Sequence, residues 1–163
     1  MMGMKERAFA PKVSVSLEEL VPQDHFYRHV QKVLDLSFVH DLVRPCYAVA
    51  GGPSIDPVVF FKLQLVMFFE DIRSERELLR QVADRLSVRW YLVQFHERFS
   101  GKLLLEPPYL SPKRSLDFAL GYDLDEQLPD HSTLSKIRQR YGLSVFRRFF
   151  ESIVEQCRQA KLV

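Results

Sequence analysis

Hydrophobic positions along this chain recur at three- and four-residue steps, the spacing of one face of an α-helix. In "DHFYRHVQKVLDL", Phe26, Val30, Val33 and Leu34 keep that rhythm, and Asp24 stands where a cap belongs. Ahead of it, Ser16 with Glu19 three residues on reads as a capping box for a short turn that Pro22 ends. A further short helix, "SFVHDLVRPCY", runs out near Pro45. The linker "AVAGGPSID" follows, broken by Gly51, Gly52 and Pro53.

Asp56 and Pro57 form a cap and a first-turn proline, so a helix begins there. Its body, "VVFFKLQLVMFFEDI", is apolar on nearly all sides, which predicts a central core helix. Ser74 opens the next, "SERELLRQVADRLSVRWYL", read as one helix with a stripe at Leu78, Leu79, Val82, Ala83 and Leu86. From Val93 to Leu120 the periodicity fades, and a proline pair and a Ser-Pro predict a protruding loop with at most one short helix. "GYDLDEQLPDHSTLSKIRQRYG" is a turn into a helix that Gly142 ends. The last segment, "LSVFRRFFESIVEQCRQAKLV", is a long amphipathic helix capped by Ser144. No alternating β pattern persists, so the expected fold is an all-α helical bundle.

Composition narrows the function. The 163 residues are 47% hydrophobic and 27% charged, enough for one domain with a real core. A net charge of +2 means that any nucleic-acid binding must come from local clustering of charge. Cys46 and Cys157 have neither metal-ligand nor disulfide-framework spacing, which suits reduced thiols in a cytoplasmic protein. "MMGMKERAFA" has no apolar secretory core, and the longest apolar stretch, interrupted by Lys62 and Gln64, is too short to span a membrane. No membrane partner is expected.

One stretch stands out for its chemistry: "LPDHSTLSKIRQRYG", residues 128 to 142. Asp130 or Ser132 can cap the helix, and Lys136, Arg138 and Arg140 follow within it. Free amides and hydroxyls at a helix start favour phosphate, and a basic helix adds counterion release. The plainer alternative is a capped amphipathic helix with a solvated basic face. Arg73, Arg76, Arg80, Arg85 and Arg89 interleave with Glu75, Glu77 and Asp84, a pattern that is usually a solvated mixed face. That helix could instead support the basic one in a helix-turn-helix-like pair. The acids Asp123, Asp125, Glu126 and Asp130 lack the glycine and final glutamate of a calcium loop and read as turn and cap residues. His25 and His29 share a helix face without a third ligand, and Trp90 with Tyr91 reads as core. No catalytic triad, glycine-rich phosphate loop or zinc spacing is present, so neither cofactor nor metal is expected.

Four stretches carry a resemblance to a known family. "GGPSIDPVVFFKLQLVMFFEDIRSERELLRQVADRLSVRWYL" and "GYDLDEQLPDHSTLSKIRQRYG" resemble the core helices and the Pro-Asp-His-Ser-Thr motif of the helical N-terminal (InsH-like) domain of bacterial insertion-sequence DDE transposases. "DHFYRHVQKVLDLSFV" and "FRRFFESIVEQCRQAKLV" are similar to helices near the start and the end of that domain. The resemblance implies DNA binding at transposon ends in transposition and DNA recombination, with Ser132, Thr133, Lys136, Arg138 and Arg140 on the DNA. Two departures qualify it. Residues 93–120 read as an insertion, since deleting them would rejoin "RWYL" to "GYDLDE". In the family, an RNase H-like domain with three acidic metal ligands follows a stretch like "AKLV", whereas this sequence ends at Val163 and offers no matching acids. By itself the chain is therefore expected not to be an enzyme. Its expected partners are double-stranded DNA and either a second copy or a full-length transposase. The rival readings are a helical interaction module built on Phe146, Phe149, Phe150 and Ile153, and an inactive remnant of a disrupted transposase. A basic patch over residues 132–148 favours DNA, whereas an exposed aromatic patch favours a protein partner.

Overall fold

The computed structural model describes residues 16–47, 55–93 and 128–162. The N-terminal residues 1–13, most of the glycine linker, the 94–120 stretch and the acids at 123–126 fall outside that range. All regular structure among the described residues is helical, as the periodicity predicts. The helices are α1 (Leu17–Leu20), α2 (Phe26–Val33), α3 (Val39–Val43), α4 (Pro57–Phe69), α5 (Glu75–Asp84), α6 (Leu86–Val93) and α7 (His131–Gln159). A 3₁₀ turn at Arg44–Cys46 extends α3. No described helix is long and apolar enough to cross a membrane.

Local signals set most of the helix starts. The Ser16 side chain accepts a bond from the Glu19 amide at 3.4 Å, and Asp56 Oδ1 accepts one from the Val58 amide at 2.7 Å, with Pro57 at the first helical position. At α2 the cap is His25 rather than Asp24: its Nδ1 accepts from the Tyr27 amide at 3.2 Å. His25 thus stands outside the helix and shares no helical face with His29.

The segment expected as one helix from Ser74 onward is two. Arg85 takes an extended backbone (φ −110°, ψ 102°), and its guanidinium donates to Glu70 Oε1 at 2.9 Å, at the end of α4. The reason for the break is burial. α5 is amphipathic and buries Leu78 and Val82, leaving Ala83 outside, whereas α6 buries five consecutive residues from Val88 to Leu92. One straight helix would carry half of those into solvent. The break lets α6 pass under α1, α2, α4 and α5, all of which touch it.

α4 is the core helix that its sequence predicts, buried from Val58 to Val66. Its Phe60 and Phe61 meet Tyr141, Phe146 and Phe149 of α7, with Phe61 and Phe149 stacked at 4.1 Å. Gly142 interrupts α7 with φ 67° and ψ 176°, a backbone region that is essentially glycine's alone. The two halves of α7 therefore point in different directions, and the second lays Val145, Phe149 and Ile153 on the core. The two buried cations Lys62 and Arg28 are each held by acceptors, whereas the buried Gln64 Nε2 and Tyr91 hydroxyl have no hydrogen-bond partner among the described residues. Lys62 Nζ donates to the Tyr91 carbonyl at 2.6 Å. Arg28, 6% exposed, donates to Glu18 Oε1 (2.5 Å) and to the carbonyls of Glu18 (2.8 Å), Val21 (2.9 Å) and Pro22 (3.0 Å). Its guanidinium lies 4.4 Å from the Trp90 ring centre, so one arginine ties α1, α2 and α6 together.

Candidate nucleic-acid interface

The first half of α7 begins at Asp130, whose Oδ1 accepts from the Ser132 amide at 2.8 Å, while its carbonyl accepts from the Thr133 amide at 3.0 Å. The choice between Asp130 and Ser132 as the cap is thus settled for Asp130. The Ser132 hydroxyl and amide hold the Asp130 carboxyl below its ordinary value. Ser132 and Thr133 consequently fix the helix start, and the cap site itself carries a negative charge.

Leu134, Ile137 and Tyr141 point into the core, which orients every other residue of this half-helix. An α-helix turns about 100° per residue, so residues two apart point to nearly opposite sides and residues four apart share a side. Lys136 and Arg140 share a side with Ser132, and Thr133 lies beside them. Arg138 lies on the opposite flank, against α5. The sequence places all three cations on one helix; the structure divides them.

The Arg138 flank is an internal clasp. Nη2 donates to Gln64 Oε1 of α4 at 2.9 Å and pairs with Glu75 Oε1 of α5 at 3.0 Å. The Arg138 side chain is 46% exposed but that of Glu75 only 11%. Ser135 Oγ also donates to the Glu75 carboxylate. One turn earlier, Arg76 Nη2 comes within 3.5 Å of His131 Nε2.

The other flank is open. Lys136 and Arg140 are exposed and form no ion pair with a described acid. Arg140 rests its guanidinium 5.5 Å from the Tyr47 ring centre, and the Tyr47 and Tyr141 hydroxyls are 2.6 Å apart. Aromatic support of this kind holds a guanidinium without neutralising it. The arginines around α5 contrast with this. Arg73 pairs with Asp71 (3.4 Å), Arg80 with Glu77 (2.7 Å) and Arg85 with Glu70 (2.9 Å), and Arg80 draws the Glu77 carboxyl down to about 2. Arg73 and Arg80 are thus the solvated mixed-charge face that the sequence suggests, whereas the Arg85–Glu70 pair is half-buried and Glu75 belongs to the clasp. Arg89 is buried.

Sequence reasoning did not find Gln64, Glu75 or Tyr47 as parts of this region. Glu75 carries a faint local signal, as an acid in the first turn of α5. Nothing local links it to Arg138, which is far away along the chain. Among the described residues there is no group of three or more His, Cys, Asp or Glu that could hold a metal ion.

A family model described as Transposase domain (DUF772) matches residues 15–100, just over half of the chain. No curated protein and no solved structure matches the chain.

Proposed function

We propose that this chain, which belongs to the transposase domain family, binds duplex DNA at transposon ends through the first half of α7 and contributes binding rather than strand cleavage. The observation that carries this reading is the outward pair Lys136 and Arg140. They lie four residues apart on one side of a helix whose opposite flank is clasped to α4 and α5, and no described acid neutralises them. Unpaired cations at that spacing can meet successive phosphates and release counterions. Arg140 is held by Tyr47, and Ser132 and Thr133 position the helix end through Asp130. Arg138 then acts chiefly as a brace, and α5 is the supporting helix.

The test is a salt titration of duplex binding with the double variant Lys136→Ala and Arg140→Ala. Two lost phosphate contacts should flatten the slope of log affinity against log salt by about 1.8. A folded double variant with the wild-type affinity and slope would show that this face is merely solvated.

A further inference from the structure

A second surface lies on the far half of α7. Phe68 is 69% exposed, Phe26 50% and Val154 52%. These are not scattered. Phe26 meets Phe69 at 5.2 Å between ring centres, Phe69 meets Phe68 at 5.7 Å, and Phe68 meets Phe150 at 6.2 Å. The result is one aromatic band across α2, α4 and α7. With a fully exposed ring side chain presenting roughly 200 Å², the uncovered parts of these phenylalanines come to about 300 Å². A patch of roughly 300 Å² lies within the range of the largest patch on an ordinary monomer, and such patches are often functional, the more so when rimmed by polar residues.

The band opens into a groove of about 450 Å³ lined by Arg147, Phe150, Glu151, Val154, Glu155 and Arg158. The rim decides what fits. It carries two cations and two acids around an apolar floor, and Arg147, Glu151 and Arg158 form no ion pair among the described residues. An occupant must bring apolar side chains to the floor and charges of both signs to the rim. The same face of a second copy, laid antiparallel, does so. With a twofold axis at Val154, Val154 meets its own image. Phe150 and Arg158 are equidistant from the axis, so the arginine stem of one copy covers the ring of the other. Glu151, on nearly the same level, then reaches the guanidinium of the facing Arg158. Such an interface is isologous, and each contact occurs twice.

We propose that this groove and aromatic band are a homodimer interface built on residues 147–158 of α7. The proposal is independent of DNA binding, because none of its residues lies on the Lys136 and Arg140 face.

The experiment is light scattering of the full chain over a concentration series, with circular dichroism as the folding check. Wild type should form a dimer. Glu151→Arg alone sets Arg against Arg twice, and Arg158→Glu alone sets Glu against Glu twice. Each should weaken self-association by about tenfold or more, since facing like charges are strongly disfavoured. Mixing the two variants restores both opposite-charge pairs, so a heterodimer should appear. Val154→Lys, which places two cations at the axis, should be a folded monomer. A wild-type chain that stays monomeric throughout would overturn the proposal and leave the band to a different partner. A dimer untouched by Val154→Lys, or folded single variants that do not associate on mixing, would overturn it equally.

Discussion

Arg138→Ala separates the clasp from the DNA face. The substitution removes the donor to Gln64 Oε1 at 2.9 Å and the ion pair to Glu75 at 3.0 Å. Gln64 is buried and Glu75 nearly so, and Glu75 keeps only the Ser135 hydroxyl among these contacts. A hydrogen bond from a charged donor is worth about 1.5–3 kcal/mol. The ion pair itself adds little, at most about 0.5–1 kcal/mol, because the guanidinium is half exposed and water screens it. Solvent reaching the vacated site recovers part of the loss. The net cost should be about 1.5–2.5 kcal/mol, which for a chain of this size lowers Tm by about 3–10 °C. Thermal denaturation followed by circular dichroism measures it. Fluorescence anisotropy with duplex DNA, well below both midpoints, should find nearly wild-type affinity and salt slope. Lys136→Ala with Arg140→Ala should do the reverse: a stability change of about 1 kcal/mol or less, since only the Tyr47 contact is lost, and a flattened salt slope. An Arg138→Ala variant with unchanged Tm and a flattened slope would refute the division of labour on this helix.

Arg28→Met should destabilise the chain by about 3–5 kcal/mol in urea denaturation, because it strips the donor from three backbone carbonyls and from Glu18. Gly142→Ala should cost about 1–3 kcal/mol through backbone strain alone, since a Cβ there meets nothing within 4 Å; unchanged stability would mean that the kink is dispensable. The bond to Asp56 raises the His40 pKa above 6.5, so its stabilisation is fully present below that pH and is lost as pH rises through the raised value. Denaturation midpoints in this window should therefore fall with pH in wild type and stay flat in His40→Gln. Incubated with supercoiled DNA and magnesium, the chain should produce no nicking, and nicking abolished by Asp130→Ala would contradict its binding role.

What the sequence discloses and what it conceals follow from distance along the chain. The caps at Ser16, Asp56 and Asp130 and the break at Gly142 are written in neighbouring residues, and the structure has them where local chemistry puts them. The core face of α4 is equally plain, because a helix apolar all round has to be buried. The break at Arg85 is not, because it answers to burial by α1, α2 and α4 and to an acid at the end of another helix. Arg28 hides in a short amphipathic helix, and only Trp90, far along the chain, shows that it is buried. At the candidate site the capping acid and the three cations of one helix were legible, whereas the division of those cations and the partners Gln64, Glu75 and Tyr47 were not. Three cations at two-residue steps look like one patch on the page, whereas 3.6 residues per turn sends the middle one to the opposite flank. Gln64 and Glu75 then make that middle residue a brace.

A photo-crosslink reads the DNA face most directly. A benzophenone side chain at Gln139, exposed beside Lys136 and Arg140, should crosslink to bound duplex DNA, while the same group at Gln159, exposed at the far end of α7, should not. Equal crosslinking from both positions, or crosslinking from Gln159 alone, would contradict DNA binding through the first half of α7.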